Sequence, residues 1–277
     1  MTPKSQPDIS VIIPAFNRAH TLPKALDSVL SQTLKPREII VVDDGSTDET
    51  NAVLANYPGL CIISQDNRGV SAARNMGIKK AGGEWLAFLD SDDEWLKEKL
   101  EKQWDAICID DKLICHTEEI WIRNGQRVNP MKKHKKFGGI IYERCLPLCV
   151  ISPSSVMIHR SVFEDVGVFD ESLEVCEDYD LWLRICAKYS VLFIDEPLIV
   201  KYGGHEDQLS RKYWGMDRFR VKALEKMMSF GALNDEDEKA TVNMILQKCG
   251  IIINGMKKRG NNDEAEKWQS KIEKYEK

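Results

Sequence analysis

Between Ile9 and Leu89, short apolar runs alternate with stretches of helical periodicity, which confines the chain to βα units on a largely parallel sheet. Ile9 to Ile13 reads as a buried strand. Leu22 to Gln32 follows as a helix, with Leu22, Leu26, Val29 and Leu30 at helical spacing. Glu38 to Val42 is the next strand. It runs into Asp43, Asp44 and Gly45, after which Ser46 and Glu49 have the S-x-x-E spacing of a capping box that opens another helix. A strand at Leu60 to Ser64, a helix from Val70 to Ala81 closed by Gly82 and Gly83, and a strand at Glu84 to Leu89 complete the series.

Past residue 100 the pattern loosens. Ile114 to Ile122 predicts a strand turned by Asn124 and Gly125, the strongest short hairpin signal, and Met131 to Lys136 reads as a basic loop. A helix is expected from Glu177 to Tyr189, then strands near Val191 to Ile194 and Leu198 to Tyr202. Beyond His205 strand signals fade into two or three polar, amphipathic helices, a candidate appendage. A chain of 277 residues has room for one large domain and such an appendage, and 43% hydrophobic with 30% charged residues fits a packed globular core.

The formal charge of −5 gives no global field toward nucleic acid, so none is expected as a partner. Eight scattered cysteines, with neither a CxxC pair nor a zinc-like histidine spacing, read mostly as buried thiols in a reducing compartment. The opening MTPKSQPDIS has no apolar signal core, and no run reaches the roughly 20 apolar residues of a membrane span. A cytoplasmic location is expected, with peripheral contact at the inner face of a membrane as an option. Lys132, Lys133, Lys135 and Lys136 would make that contact, or face an anionic acceptor; a solvated loop is the plainer reading.

In open α/β sheets ligands gather beyond the carboxyl ends of the strands. After the first strand stand Pro14, Ala15, Phe16, Asn17 and Arg18: the ring of Phe16 can lie against a base, while Asn17 and Arg18 can reach a ribose or phosphate, unless this is simply a Pro-turned loop. After the second, Asp43 and Asp44 can accept from the imide of uracil or from ribose hydroxyls, or can cap a helix. After the strand ending at Leu89 come Asp90, Ser91, Asp92 and Asp93. Three clustered carboxylates repel unless a cation or a proton relieves them, and an all-oxygen site suits Mg²⁺ or Mn²⁺, which can also bridge a diphosphate; capping would explain one acid of the three. Glu177 and Asp178 open a helix. Their closeness raises one pKa, as a general base requires, while the helix N-terminus works the other way. Arg68, Ser71 and Arg74 in NRGVSAAR can clamp a pyrophosphate near a helix start, and Trp182 can be an acceptor platform or core.

Taken in order, VIIPAFNR, IIVVDDGSTDET, NRGVSAARNMGI, AFLDSDDEW, VGVFDE, EDYDLWLR and YGGHEDQLS resemble glycosyltransferase family 2, from Ile9 to about Ser210. The resemblance implies an α/β GT-A fold: a Rossmann-like, mostly parallel central sheet flanked by helices. It implies a catalytic domain over residues 1–205, with a nucleotide part to about 95 and an acceptor part from 96, before the helical region 206–277. The implied nucleotide site takes in Pro14 to Arg18, Asp43, Asp44, Arg68, Ser71, Arg74, Asp90 and Ser91. The implied metal, Mn²⁺ or Mg²⁺, is held by Asp90 and Asp92, with His205 at a position near metal and diphosphate. Asp178 is the better match to the catalytic base, with Glu177 beside it, and Trp182 and Asp93 are assigned to the acceptor.

The implied reaction is an inverting transfer from a nucleotide diphosphate sugar, UDP-linked in this reading, to a saccharide or lipid-linked hydroxyl in cell-surface polysaccharide synthesis. A nucleotidyltransferase of similar fold would carry a Gly-rich phosphate loop where PAFNR stands. A dehydrogenase would need G-x-G-x-x-G, which is absent after the first strand. A sugar-binding protein without activity would not need both acidic clusters.

Overall fold

A computed structural model describes residues 7–129, 131–204 and 213–276. Four parallel strands form its first half: β1 (Ile9–Ala15), β2 (Glu38–Asp43), β3 (Cys61–Ser64) and β4 (Trp85–Phe88). They are linked by helices α1 (Leu22–Leu30), α2 (Thr50–Leu54) and α3 (Val70–Lys80). The two-residue β5 (Glu94–Trp95) leads to α4 (Lys99–Asp110) and the hairpin of β6 (Ile114–Arg123) and β7 (Gln126–Val128). As the Asn-Gly signal predicts, Asn124 and Gly125 turn that hairpin with positive φ at both residues.

Short helices α5 (Tyr142–Cys145) and α6 (Arg160–Val166) flank β8 (Met157–His159). They are followed by α7 (Glu177–Cys186) and β9 (Leu192–Gly203), then by α8 (Asp217–Met228), α9 (Asp235–Lys258) and α10 (Asn262–Tyr275). The sheet order is β3-β2-β1-β4-β8-β6-β9-β5, with β7 on β6. Beyond β4 the sheet is mixed, because β8 runs antiparallel to both β4 and β6, β9 parallel to β6, and β5 antiparallel to β9.

Alternation along β1 divides the core. Ile9, Val11 and Ile13 pack with Leu22, Leu26 and Val29 of α1 and Leu100 of α4 on one face, while Ile12 packs on the other with Ile40, Val42 and Ala73. A Cβ on Gly77 would sit 2.4 Å from Cγ2 of Ile12, so α3 lies against β1 at a distance only glycine allows. The second face continues through α6, α7 and the C-terminal helices as one buried cluster, ending in Val221, Leu224, Met227, Ile245, Ile252 and Ile253.

Several local expectations are corrected. The Ser46–Glu49 capping box does not form: α2 starts at Thr50, and Oγ of Ser46 instead accepts the backbone N–H of Asn17 at 2.9 Å. Helix α3 ends at Lys80 with Ala81 extended, and the N–H groups of Gly82 and Gly83 donate to Glu38 and to Oγ of Ser10 rather than closing the helix. The two strands expected around residues 191–202 are one strand, whose register against β6 slips at Thr117 to Glu119, opposite Pro197. Five of the eight cysteines are buried and all are free thiols, whereas Cys61 and Cys108 are exposed and Cys149 is half-buried.

Candidate active site

Because β1, β2 and β4 are parallel neighbours, their carboxyl ends bring the PAFNR, DDGS and DSDD segments to one edge. The first two are tied together. Asn17, at φ 52°, accepts the N–H groups of Thr47 and Asp48 on Oδ1 at 2.8 and 3.3 Å, and the N–H of Arg18 donates to Oγ1 of Thr50 at 2.9 Å. The carboxamide oxygen of Asn17 is therefore committed to the second loop rather than extended toward a ligand. Phe16, beside it, is 43% exposed, a free ring face at the sheet edge; Pro14 and Ala15 belong to β1 itself.

Asp43 and Asp44 are both buried. Asp43 accepts the N–H of Ser46 at 3.1 Å. Asp44 is bound on both oxygens: Oδ1 accepts Nε2 of Gln65 at 2.7 Å and the N–H of Arg68 at 2.9 Å, and Oδ2 accepts the N–H of Gly69 at 2.8 Å. Asp44 thus fixes the entry to α3, the helix after the one that its sequence position suggests. Gly45 allows the crossing, since its φ is 77° and a Cβ there would meet the backbone N of Asn67 at 2.9 Å.

The α3 residues expected as a pyrophosphate clamp are differently engaged. Arg68 pairs with Glu171 at 2.7 Å, and Ser71 is buried with no partner for its hydroxyl among the described residues. Arg74 is buried between two acids, with Nη2 2.7 Å from Oδ1 of Asp90 and Nη1 2.8 Å from Oε1 of Glu177. Burial works to lower its pKa, yet Asp90 and Glu177 outweigh burial and raise it. One guanidinium therefore joins the two acidic motifs, 87 residues apart in the chain.

Within DSDD the acids divide their roles. Burial first, and then Asp90, push the Asp92 carboxyl up against the pull of Arg18 and Lys201. Asp93 is buried, accepts the hydroxyl of Ser154 at 2.6 Å and the N–H of Tyr202 at 3.2 Å, and has its pKa pushed well up by burial. This corrects its assignment to the acceptor: Asp93 fastens the loop to the 3₁₀ turn Pro153–Ser155 and to β9. Asp90 and Asp92 offer hard oxygen donors, and their mutual repulsion is the kind that a divalent cation relieves, so the chemistry of the pair would fit Mg²⁺ or Mn²⁺. Among the described residues no cluster of three or more His, Cys, Asp or Glu side chains is arranged as a complete metal site. His205 lies outside the described residues.

At the start of α7, Glu177 is buried and its carboxyl is pushed up to about 7 by burial and by Asp178, against the guanidinium of Arg74. Asp178 is half-buried. Its Oδ1 accepts the N–H of Tyr179 at 2.7 Å, its Oδ2 accepts the thiol of Cys149 at 3.3 Å, and it lines a cavity of about 470 Å³. Trp182, one turn along, is fully buried in the core, so it is not an acceptor platform.

The cavity contains residues that the motifs did not signal. Lys201 on β9 is flanked by Glu119, Asp93, Asp90 and Asp178, which raise its pKa although burial lowers it. Lys136, expected in an exposed basic loop, is buried with Nζ 2.9 Å from the carbonyl of Val150 and 3.4 Å from Glu119. Only Lys132, Lys133 and Lys135 of that run are exposed. The one sequence signal for Lys201 is a cation inside the expected strand Leu198 to Tyr202.

A family model described as glycosyl transferase family 2 matches residues 10–167. The chain is 34% identical over 209 residues to an uncharacterized glycosyltransferase of Rickettsia typhi, covering 73% of this chain and 65% of that protein. It is 32% identical over 180 residues to the Escherichia coli UDP-Glc:alpha-D-GlcNAc-diphosphoundecaprenol beta-1,3-glucosyltransferase WfgD, covering 64% and 69% respectively. Two Rickettsia relatives are matched over only 65% and 63% of their own length. Residues 1–349 of S. aureus TarS, in complex with UDP-GlcNAc, superpose with a TM-score of 0.69 at 23% identity, over 87% of this chain and 71% of that one, which supports the fold.

Proposed function

The chain belongs to glycosyltransferase family 2, and from that membership we propose that it moves a sugar from a UDP-linked donor to a hydroxyl of a saccharide or lipid-linked acceptor, with inversion. The observation that carries this reading is the bridge of Arg74 between Asp90 and Glu177. It ties the strand-end loops of a nucleotide site to the helix that presents Asp178 to a cavity. WfgD, by its name, takes UDP-Glc and a diphosphoundecaprenol-linked acceptor, which favours UDP and a role in building cell-surface polysaccharide.

Phe16 offers its ring to the base, and Asp44, held by Gln65 and the α3 entry, stands at the edge where the uracil and ribose would lie. Asp90 and Asp92 would hold Mg²⁺ or Mn²⁺. When bound, such an ion would supply positive charge to offset the negative charge of the departing diphosphate. Asp178 takes the proton of the acceptor hydroxyl, whose oxygen forms the new bond to the anomeric carbon. The bond from that carbon to the diphosphate oxygen breaks, and its electron pair departs with UDP. The thiol of Cys149 and the N–H of Tyr179 hold the two carboxylate oxygens in place for this transfer.

Calorimetry of UDP with Mn²⁺ and then with EDTA tests the donor side. Affinity should fall steeply without metal, because the diphosphate would then face bare carboxylates. Equal affinity in both conditions removes the metal from the mechanism. Among the described residues no helix is long and apolar enough to cross a membrane.

A further inference from the structure

The cavity in front of Asp178 is not the donor site, since none of Phe16, Asp44 and Asp90 lines it. Its far wall comes from the C-terminal helices: Asp217 and Arg220 from α8, Lys248 and Ile251 from α9. The balance of charge there is unusual for an acidic chain. Lys133, Lys136, Lys201, Arg220 and Lys248 line it against the carboxylates of Glu119, Asp178 and Asp217.

Among the described residues of the far wall, the two cations Arg220 and Lys248 face one carboxylate, Asp217. A single oxygen, Oδ1 of Asp217, serves both Nη1 of Arg220 at 2.9 Å and Nζ of Lys248 at 3.0 Å. Nε of Arg220 is buried with no hydrogen-bond partner among the described residues, and so is Nδ1 of His134 on another wall of the cavity. Among the described residues, Nζ of Lys248 has only the carbonyl of Pro147 besides, at 2.8 Å, and its side chain is 5% exposed. A lysine held this far from water, sharing one carboxylate oxygen with a half-buried arginine whose Nε is itself buried, calls for a further anion. Near Asp178 the remaining anion must belong to the acceptor, because the donor diphosphate is placed at Asp90 and Asp92.

We propose that this cavity is a subsite for a phosphate or diphosphate group carried by the acceptor, with Arg220, Lys248 and Lys133 as its counter-ions. The inference rests on the glycosyltransferase reading, and it specifies the acceptor's chemistry. A volume of about 470 Å³ holds a sugar and its phosphate groups, and places them between the base and the C-terminal helices. A second hollow of about 720 Å³ adjoins it, sharing Asp217, Arg220 and Ile251 and walled by Trp214 and Ile252. An apolar substituent on the phosphate would leave the first cavity through this second one.

The test is calorimetry in the presence of saturating UDP and Mg²⁺, which closes the donor site to competing phosphates. Inorganic pyrophosphate and geranyl diphosphate are the probes. Both should bind the wild-type chain, and Arg220→Gln should weaken both by about tenfold or more, the loss of a charge-assisted contact. Lys133→Gln, an exposed change that does not threaten folding, should weaken both by about threefold. UDP affinity should stay within about twofold in each variant. Tighter binding of geranyl diphosphate than of pyrophosphate supports a lipid-linked acceptor, and equal binding supports a water-soluble sugar phosphate. If neither probe binds while UDP does, the phosphate subsite is wrong and the donor reading survives. If both probes bind but lose less than about twofold in the two variants, the cavity is likewise not their site. Failure of UDP itself to bind the wild type would instead overturn the glycosyltransferase reading beneath it.

Discussion

At the scale of single residues, Asp178 and Glu177 are neighbours with opposite surroundings: one lines a cavity, while the other is sealed against Arg74. Asp178→Asn keeps the shape and much of the hydrogen bonding but removes the proton affinity. Turnover should fall by about 10² to 10⁴ with UDP affinity nearly unchanged, measured as kcat beside a calorimetric Kd. Near-native turnover in this variant with loss in Glu177→Gln would exchange their roles. Glu177 carries its own signature in stability. Its folded-state pKa of about 7 lies above the ordinary 4.5, so the folded chain holds a proton that the unfolded chain has already released. Its stabilising contribution is complete below about 4.5 and is lost as pH rises through about 7. Glu177→Gln has no titrating group at this position, so it serves as a reference without this pH dependence. The melting temperature of the wild type relative to this variant should therefore decline between pH 5 and 8, and a flat difference would show that Arg74 keeps Glu177 ionised throughout.

Among the elements, the strand-end loops carry most of what sequence reading captured, and the reasons are local. A buried strand stopped by two or three acids marks its own carboxyl edge, and three such edges on a parallel sheet must converge. The uses of the side chains were less legible. Ser46 and Glu49 have capping-box spacing, yet Ser46 binds the loop of Asn17, a partner 29 residues away that no local rule indicates. Leu192–Gly203 looked like two strands because Asp195, Glu196 and Pro197 interrupt the apolar pattern, and a register slip on β6 absorbs them. The sequence raised no expectation for Lys201, Arg220 or Lys248, because only packing of distant elements turns them toward the cavity. The bonds of Asp44 predict a double effect. Asp44→Ala should lower UDP affinity by about 1 to 3 kcal/mol and also release the N–H groups of Arg68 and Gly69, lowering the melting temperature by several degrees. Calorimetry and thermal melting separate the two, and a lowered melting temperature with unchanged UDP affinity would make Asp44 purely a fastening of α3.

For the whole molecule, the question is whether residues past 205 form an appendage or part of the catalytic body. Their apolar face does not close on itself: Leu224, Met227, Ile245 and Ile253 belong to the same buried cluster as Trp182, Val156 and Phe88. Polar ties cross the same seam, including the buried bond between the hydroxyls of Tyr142 and Thr241 at 2.7 Å and the pairing of Lys226 with Asp180 at 3.0 Å. Four such apolar side chains at about 1.5 to 3 kcal/mol each amount to roughly the whole stability of an ordinary domain, about 5 to 15 kcal/mol. A chain ended at residue 204 should therefore lack a cooperative melt and expose apolar surface, seen by calorimetric scanning and dye binding. Ending it at residue 261 removes α10, whose only fully buried side chain is Ala265, while Trp268, Ile272 and Tyr275 merely pack at the margin. That shorter chain should melt cooperatively a few degrees lower and bind UDP within about twofold of the full chain. A cooperative, UDP-binding product ending at 204 would instead establish a domain boundary there and leave the cavity wall of α8 and α9 as a separable acceptor module.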